Sequence, residues 1–223
     1  SDVCSSDLLD GFTGYLLTDG YAGYDAVGDG DGQPTLLGCW SHARRHFHDI
    51  VKARPKGVAP GLADEALAYA DTLFRLERHW KPCNAAQRQQ LRQQLSVPVL
   101  AQCKTWLDQH LSVTAPKTLL GKAIRYALRF WTRLTRFLAD GRLPISNNQT
   151  ERDIKTFVLG RKAFLFANSP AGAKALANLY ALVQTAQAHG QEPWAYLKQV
   201  FTAGPQATSV GQIEALLPWA EPT

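Results

Sequence analysis

Along this chain the hydrophobic residues come first in short runs and then at helical spacing. GYLLTDG at 14–20 and TLLGCW at 35–40 are brief apolar runs bounded by glycine, and both predict strands. Ser41 then stands where an N-cap would open a helix through HARRHFHDIVKA. From Leu62 to Trp80 the apolar residues recur at 62, 66, 69, 73, 76 and 80, which predicts a helix. Another begins after Asn84, with Gln87 placed to complete a capping box, and Pro98 is expected to kink or restart it. A long helix is predicted from about Lys117 to Leu138, ended by the turn DGRLP. Beyond residue 156, VLGRKAFLFANS reads as irregular or short extended structure. Helices follow from about Ala171 to His189, from Pro193 to Phe201 and near Gln212 to Leu217. No internal repeat or low-complexity tract is visible.

The 117–138 segment carries two opposed stripes. Ile124, Leu128, Trp131, Leu134 and Leu138 form the apolar one, and Lys122, Arg125, Arg129, Arg133 and Arg136 the basic one. Such a basic face is often simply solvated. Five cations with no carboxylate among them repel one another, however, and a polyanion would relieve that cost.

Charge elsewhere points the same way. Residues 1–31 hold seven aspartates and no Lys or Arg. The remainder therefore sets 24 basic residues against the 19 acidic ones less those seven, a surplus of +12. A surplus of that size suits a phosphate-backbone partner. No apolar run nears the roughly 18 residues of a membrane span, and the N-terminal residues lack a signal-peptide pattern. Cys4, Cys39, Cys83 and Cys103 are far apart without a CxxC pair, which suggests neither a disulfide framework nor a zinc ribbon but a reducing cytoplasm. The absence of methionine suggests a fragment or processed product.

Two carboxylates hold the chemical interest. In LPISNNQTERDIK (143–155), Asn148 and Glu151 have the spacing of a capping box, which local sequence favours, with metal ligation by Glu151 as the alternative. Asp19 is half of an Asp-Gly turn dipeptide, and is also a carboxylate at a strand end with little bulk beside it. Metal-assisted phosphoryl chemistry needs two or three such carboxylates around a pair of Mg²⁺ ions. Cys39, His42, His46 and His48 raise zinc as an alternative, but ligands mostly on one helix surround an ion poorly.

These residues lie in stretches that carry a resemblance. GYLLTDGYAGYDAV, GCWSHARRHFHD, the run from LGKAIRYALRFW through PISNNQTERDIK to WAYLKQV, and the closing ALLPW resemble the C-terminal half of the insertion-sequence-66 family of bacterial DDE transposases. The resemblance runs from about Leu9 to Trp219. It implies an α/β fold: a partial ribonuclease-H-like catalytic core at 9–170 with a helical insertion at about 60–140, and a C-terminal helical region at 171–223. Residues 1–8 do not resemble the family. It also implies metal-dependent DNA strand cleavage and strand transfer, with two Mg²⁺ (or Mn²⁺) ions held by three acids. Asp19 would be the second acid and Glu151 the third, which makes Glu151 a ligand first and a cap second. Nothing in the chain matches the family's first acid, so a truncated, inactive transposase is expected, or a fragment that only binds DNA. Arg152, Arg161 and Lys162 would meet phosphates near the reacting strand, His42 and Arg44 other parts of it, and Arg125, Arg129 and Arg133 the DNA face of the basic helix. The implied partners are the DNA of the element ends and target, further copies of the chain and accessory proteins of the same element, in a bacterial cytoplasm.

Overall fold

A computed structural model of the chain describes residues 9, 11–164 and 167–219. Two strands, β1 (Tyr15–Thr18) and β2 (Thr35–Gly38), pair in parallel, with Tyr15 opposite Thr35 and Thr18 opposite Gly38. Parallel pairing requires a crossover, supplied here by the loop 19–34 with a 3₁₀ turn at Ala22–Tyr24. Among the described residues this small sheet is the only one, and helices account for most of the rest.

Helices α1 (Trp40–Ala53), α2 (Leu62–His79), α3 (Ala85–Leu91), α4 (Val97–Val113) and α5 (Leu119–Arg129) follow. A short α6 (Trp131–Thr135) and a 3₁₀ turn at Arg136–Ala139 then lead to α7 (Asn148–Phe164). Helices α8 (Pro170–Ala188), α9 (Pro193–Ala203) and α10 (Val210–Glu214) complete the chain. Among the described residues no helix is long and apolar enough to cross a membrane.

The chain divides into two compact units, Ser1–Asn148 and Gln149–Thr223. In the first, Trp40 and Phe47 of α1 meet Ala66, Ala70 and Leu73 of α2, Leu100, Trp106 and Leu107 of α4, and Ile124 and Ala127 of α5. Ile124 and Leu134 of the predicted apolar stripe are fully buried, and Leu128, Trp131 and Leu138 pack against the same core. Gly38 lets α6 approach β2 closely, since a Cβ there would stand 3.1 Å from the Leu134 backbone nitrogen.

In the second unit Phe157 and Tyr180 meet edge to face at 5.3 Å. The Tyr196 hydroxyl donates to the Leu216 carbonyl at 3.1 Å, and the Gln191 amide to that of Pro218 at 2.8 Å. These two bonds give the closing ALLPW stretch a structural role.

Four local expectations change. The helix expected over 117–138 is broken at Phe130, because its second half turns to lay Leu134 on Gly38 and the arginines on the 19–34 loop. Residues up to Phe164 continue α7 instead of becoming irregular: one glycine does not outweigh a run otherwise free of breakers. Residues 165 and 166 of that stretch lie outside the described residues. Ser41 sits inside α1, whose N-cap is Cys39, and the Trp40 N–H donates to the Ile145 carbonyl at 3.0 Å. Asn148 is likewise the first residue of α7 and not its cap. The capping box Asn84/Gln87 forms as expected, and α4 restarts at Val97 with Pro98 in its first turn, after a π turn at Arg92–Ser96.

Candidate metal centre and nucleic-acid surface

Strand β1 ends on buried Thr18, whose hydroxyl donates to the Leu37 carbonyl at 3.4 Å. Alternation then turns the next side chain, Asp19, out to solvent. One Asp19 carboxylate oxygen accepts the Tyr21 N–H at 2.9 Å, an Asx turn that fixes the side chain. Gly20 has φ +87° and faces the Phe130 ring, where a Cβ would stand 3.0 Å away, so the turn needs glycine. From α5 the Tyr126 hydroxyl donates to the Asp19 carbonyl at 2.8 Å. Its ring lies 4.9 Å from Phe130 and 4.3 Å from His46. Burial, helped by the neighbouring Cys39 and Asp19 acids, pushes the Tyr126 phenol up to about 12, so it remains a donor at neutral pH.

Strand β2 delivers Cys39, which is buried. Its thiol donates to the Asn147 side-chain oxygen at 3.0 Å. With the Trp40–Ile145 bond, this ties the start of the SNNQTER stretch to the junction of β2 and α1. Helix α7 begins one residue later and carries Glu151, exposed, in its first turn, where the helix dipole favours a carboxylate.

Asp19 and Glu151 are thus exposed acids belonging to different compact units. Their hard carboxylate oxygens fit Mg²⁺ or Mn²⁺ better than a soft-ligand metal. Among the described residues no group of three or more His, Cys, Asp or Glu is placed to hold a metal ion. For the zinc alternative, the Cys39 thiol is engaged with Asn147. His46 lies against Tyr126 and is held below the usual imidazole value, by desolvation first and then by neighbouring His42 and Arg45, against the pull of Asp49. His48 sits 3.5 Å from Asp49.

The basic stripe meets carboxylates that sequence spacing could not reveal. Arg133 lies between Asp25 at 2.6 Å and Asp29 at 3.4 Å. Arg136 pairs with Asp29 and donates to the Leu36 carbonyl at 2.5 Å. Arg129 is exposed, 3.7 Å from Asp25 and over the Phe130 ring, while Arg125 donates to the Gly121 carbonyl at 3.4 Å. Burial works to raise the Asp29 carboxyl, but the Leu36 N–H, Arg136 and Arg133 outweigh it and hold it below the usual carboxylate value. The loop rich in aspartate is therefore pinned to the stripe. On α1, Arg44 donates to Asp71 at 2.5 Å. On α7, Arg152 donates to the Gln149 side chain at 2.6 Å, and Arg161 and Lys162 stand in the last turn, where cations suit the dipole. Tyr126 and Asn147 were not singled out by sequence; the one sign of either was its place inside a family-like stretch.

The sequence of this mostly helical α/β chain is that of a family of mobile-element proteins. The chain matches the Transposase IS66 family over residues 1–175 and the IS66 C-terminal element over 181–219, and it belongs to that family. The match takes in residues 1–8, which show no resemblance to the family by motif. The chain is 35% identical to the uncharacterized protein y4qI of Sinorhizobium fredii (strain NBRC 101917 / NGR234), over 97% of this chain and 40% of that protein. It is 34% identical to y4jD of the same organism, over 95% of this chain and 42% of the relative. The chain thus spans about two fifths of the length of these relatives. No solved structure matches it.

Proposed function

We propose that the chain is the part of an insertion-sequence transposase that holds two of its metal-binding acids, Asp19 and Glu151, and much of its DNA-contacting surface. Membership of the IS66 transposase family carries this reading. The Asp19 turn supports it: an exposed carboxylate at the end of a parallel strand is fixed by Tyr21, Gly20 and Tyr126, so it is held in place where a cation could reach it.

Bound Mg²⁺ or Mn²⁺ would supply an activated water or hydroxyl and stabilise the leaving oxygen of a phosphodiester. The chain's own contribution is to hold that metal and position the strand. Asp19 offers a carboxylate that accepts the Tyr21 N–H, on a residue whose backbone carbonyl is held by Tyr126. Glu151 offers a second, three residues beyond the start of α7. Eleven residues make about three helical turns, so Lys162 shares the Glu151 face roughly 16 Å further along, with Arg152 and Arg161 to its sides. These cations would neutralise phosphates several nucleotides apart on one strand. Within the first unit, Arg125, Arg129, His42 and Arg44 would offer further phosphate contacts. Arg133 would contribute less, because Asp25 and Asp29 already neutralise it.

Mn²⁺ titration of the chain, alone and with DNA, tests this. Asp19→Asn and Glu151→Gln should each weaken Mn²⁺ binding at least tenfold and leave DNA affinity within about twofold, since a neutral amide is a poor ligand for a hard cation. Unchanged Mn²⁺ affinity in both variants would remove the metal assignment and leave Glu151 a helix-terminus residue.

A further inference from the structure

Between α1 and α2 runs a cleft of about 440 Å³ that plays no part in the acid pair described above. Ser41 and Arg44 line it from α1, and Asp71, Phe74, Arg75 and Arg78 from α2; Asn148, the first residue of α7, also lines it. The α2 residues recur at 71, 75 and 78, one face of the helix, so the shared wall follows from helical geometry. Phe74 packs against the core and gives the cleft an apolar side.

The cleft gathers three guanidinium groups and one carboxylate. Asp71 engages Arg44 through Nε, leaving the terminal nitrogens of Arg44 to face other ligands. Arg75 and Arg78 are exposed and have no ion pair among the described residues. Two unpaired cations held side by side repel unless an anion lies between them. A concave surface with an apolar wall also focuses their field more than a flat one would. Paired arginines suit phosphate oxygens, which they can meet with two parallel N–H donors each. Arg78 alone could be explained as a cation in the last turn of α2, where the dipole favours it; Arg75 lies a turn earlier, and Arg44 comes from another helix.

We propose that this cleft binds the backbone phosphates of a DNA strand, with Arg75 and Arg78 as the principal contacts and Arg44 and Ser41 on the opposite wall. The inference rests on the reading of the chain as a DNA-acting protein, and adds a contact surface on α2 that this reading did not contain. It also places a bound strand beside Asn148, three residues before Glu151 in sequence.

The test compares Arg75→Glu/Arg78→Glu with a control of equal charge change, Lys56→Glu/Lys117→Glu, by measuring affinity for a duplex at several salt concentrations. Loss of two phosphate contacts should lower the salt slope by about 1.8, at roughly 0.9 per contact, and the control should leave it near that of the unaltered chain. A parallel measurement needs no substitution. Phenylglyoxal modification of the unaltered chain, read by mass spectrometry, should show Arg75 and Arg78 protected by DNA and not by the same concentration of inorganic phosphate. Equal protection by inorganic phosphate would reassign the cleft to a small phosphorylated ligand and overturn the proposal. An unchanged slope, or unprotected Arg75 and Arg78 in a chain that does bind DNA, would overturn it while leaving the transposase reading intact. A chain that binds no DNA at any salt concentration would refute both.

Discussion

Tyr126 contributes one hydroxyl at the one place where β1 gives way to the Asp19 turn, and its bond to the Asp19 carbonyl crosses 107 residues of sequence. Tyr126→Phe keeps the ring contacts with Phe130 and His46 and removes only that bond. The expected cost is about 1 kcal/mol of stability, together with a several-fold loss of Mn²⁺ affinity because the carboxylate is held less firmly. The ionisation gives a second check. The folded phenol sits at about 12 against 10 for an ordinary tyrosine, so its contribution is intact below pH 10 and fades as pH rises toward 12. The difference in stability between the unaltered chain and Tyr126→Phe should therefore shrink across pH 10–12 in urea titrations. A constant difference across that range would mean that the hydroxyl is not held as described.

At the scale of elements, the loop leading to α7 hangs on Arg92, in the π turn before α4. Its side chain is fully buried, and all five N–H donors are used: two on the Glu77 carboxylate and three on the carbonyls of Phe137, Asp140 and Leu143. Arg92→Met leaves Glu77 unpaired and three carbonyls without donors, and should cost about 3–5 kcal/mol in urea unfolding. Amide exchange across residues 137–147 should also rise well above that of the α1–α2 core. Equal loosening of both regions would show that Arg92 supports the whole unit and not this loop. Nothing in QRQQLRQQLS separates Arg92 from Arg88, since both read as surface residues of a glutamine-rich helix. By contrast, α2 and the Asn84 capping box were legible because their signals are local: apolar spacing in one, a side-chain pair three residues apart in the other. The break at Phe130 was hidden because its cause, the approach of Gly20 and Gly38, lies about a hundred residues away. The same distance hid the partners of the basic stripe, for Asp25 and Asp29 read as part of an acidic N-terminal segment. Asp19 and Glu151 stood out mainly through the family resemblance, because an Asp-Gly pair or an Asn-x-x-Glu spacing alone has ordinary structural uses.

At the scale of the whole molecule, the acid turn of β1 belongs to one compact unit and Glu151 to the other, joined at residues 148 and 149. The proposed function gives each of these acids a part in binding divalent metal. Fe²⁺ can replace Mg²⁺ at carboxylate sites and, with peroxide and ascorbate, cuts the backbone beside the atoms that hold it. Applied to the unaltered chain with DNA present, this treatment should cut near residue 19 and near residue 151 together. Excess Mg²⁺ should suppress both cuts, Asp19→Asn should weaken the cut near 19, and Glu151→Gln should weaken the cut near 151. A missing cut at either position, or cuts that excess Mg²⁺ and these substitutions leave unchanged, would contradict the assignment of Asp19 and Glu151 as metal-binding acids.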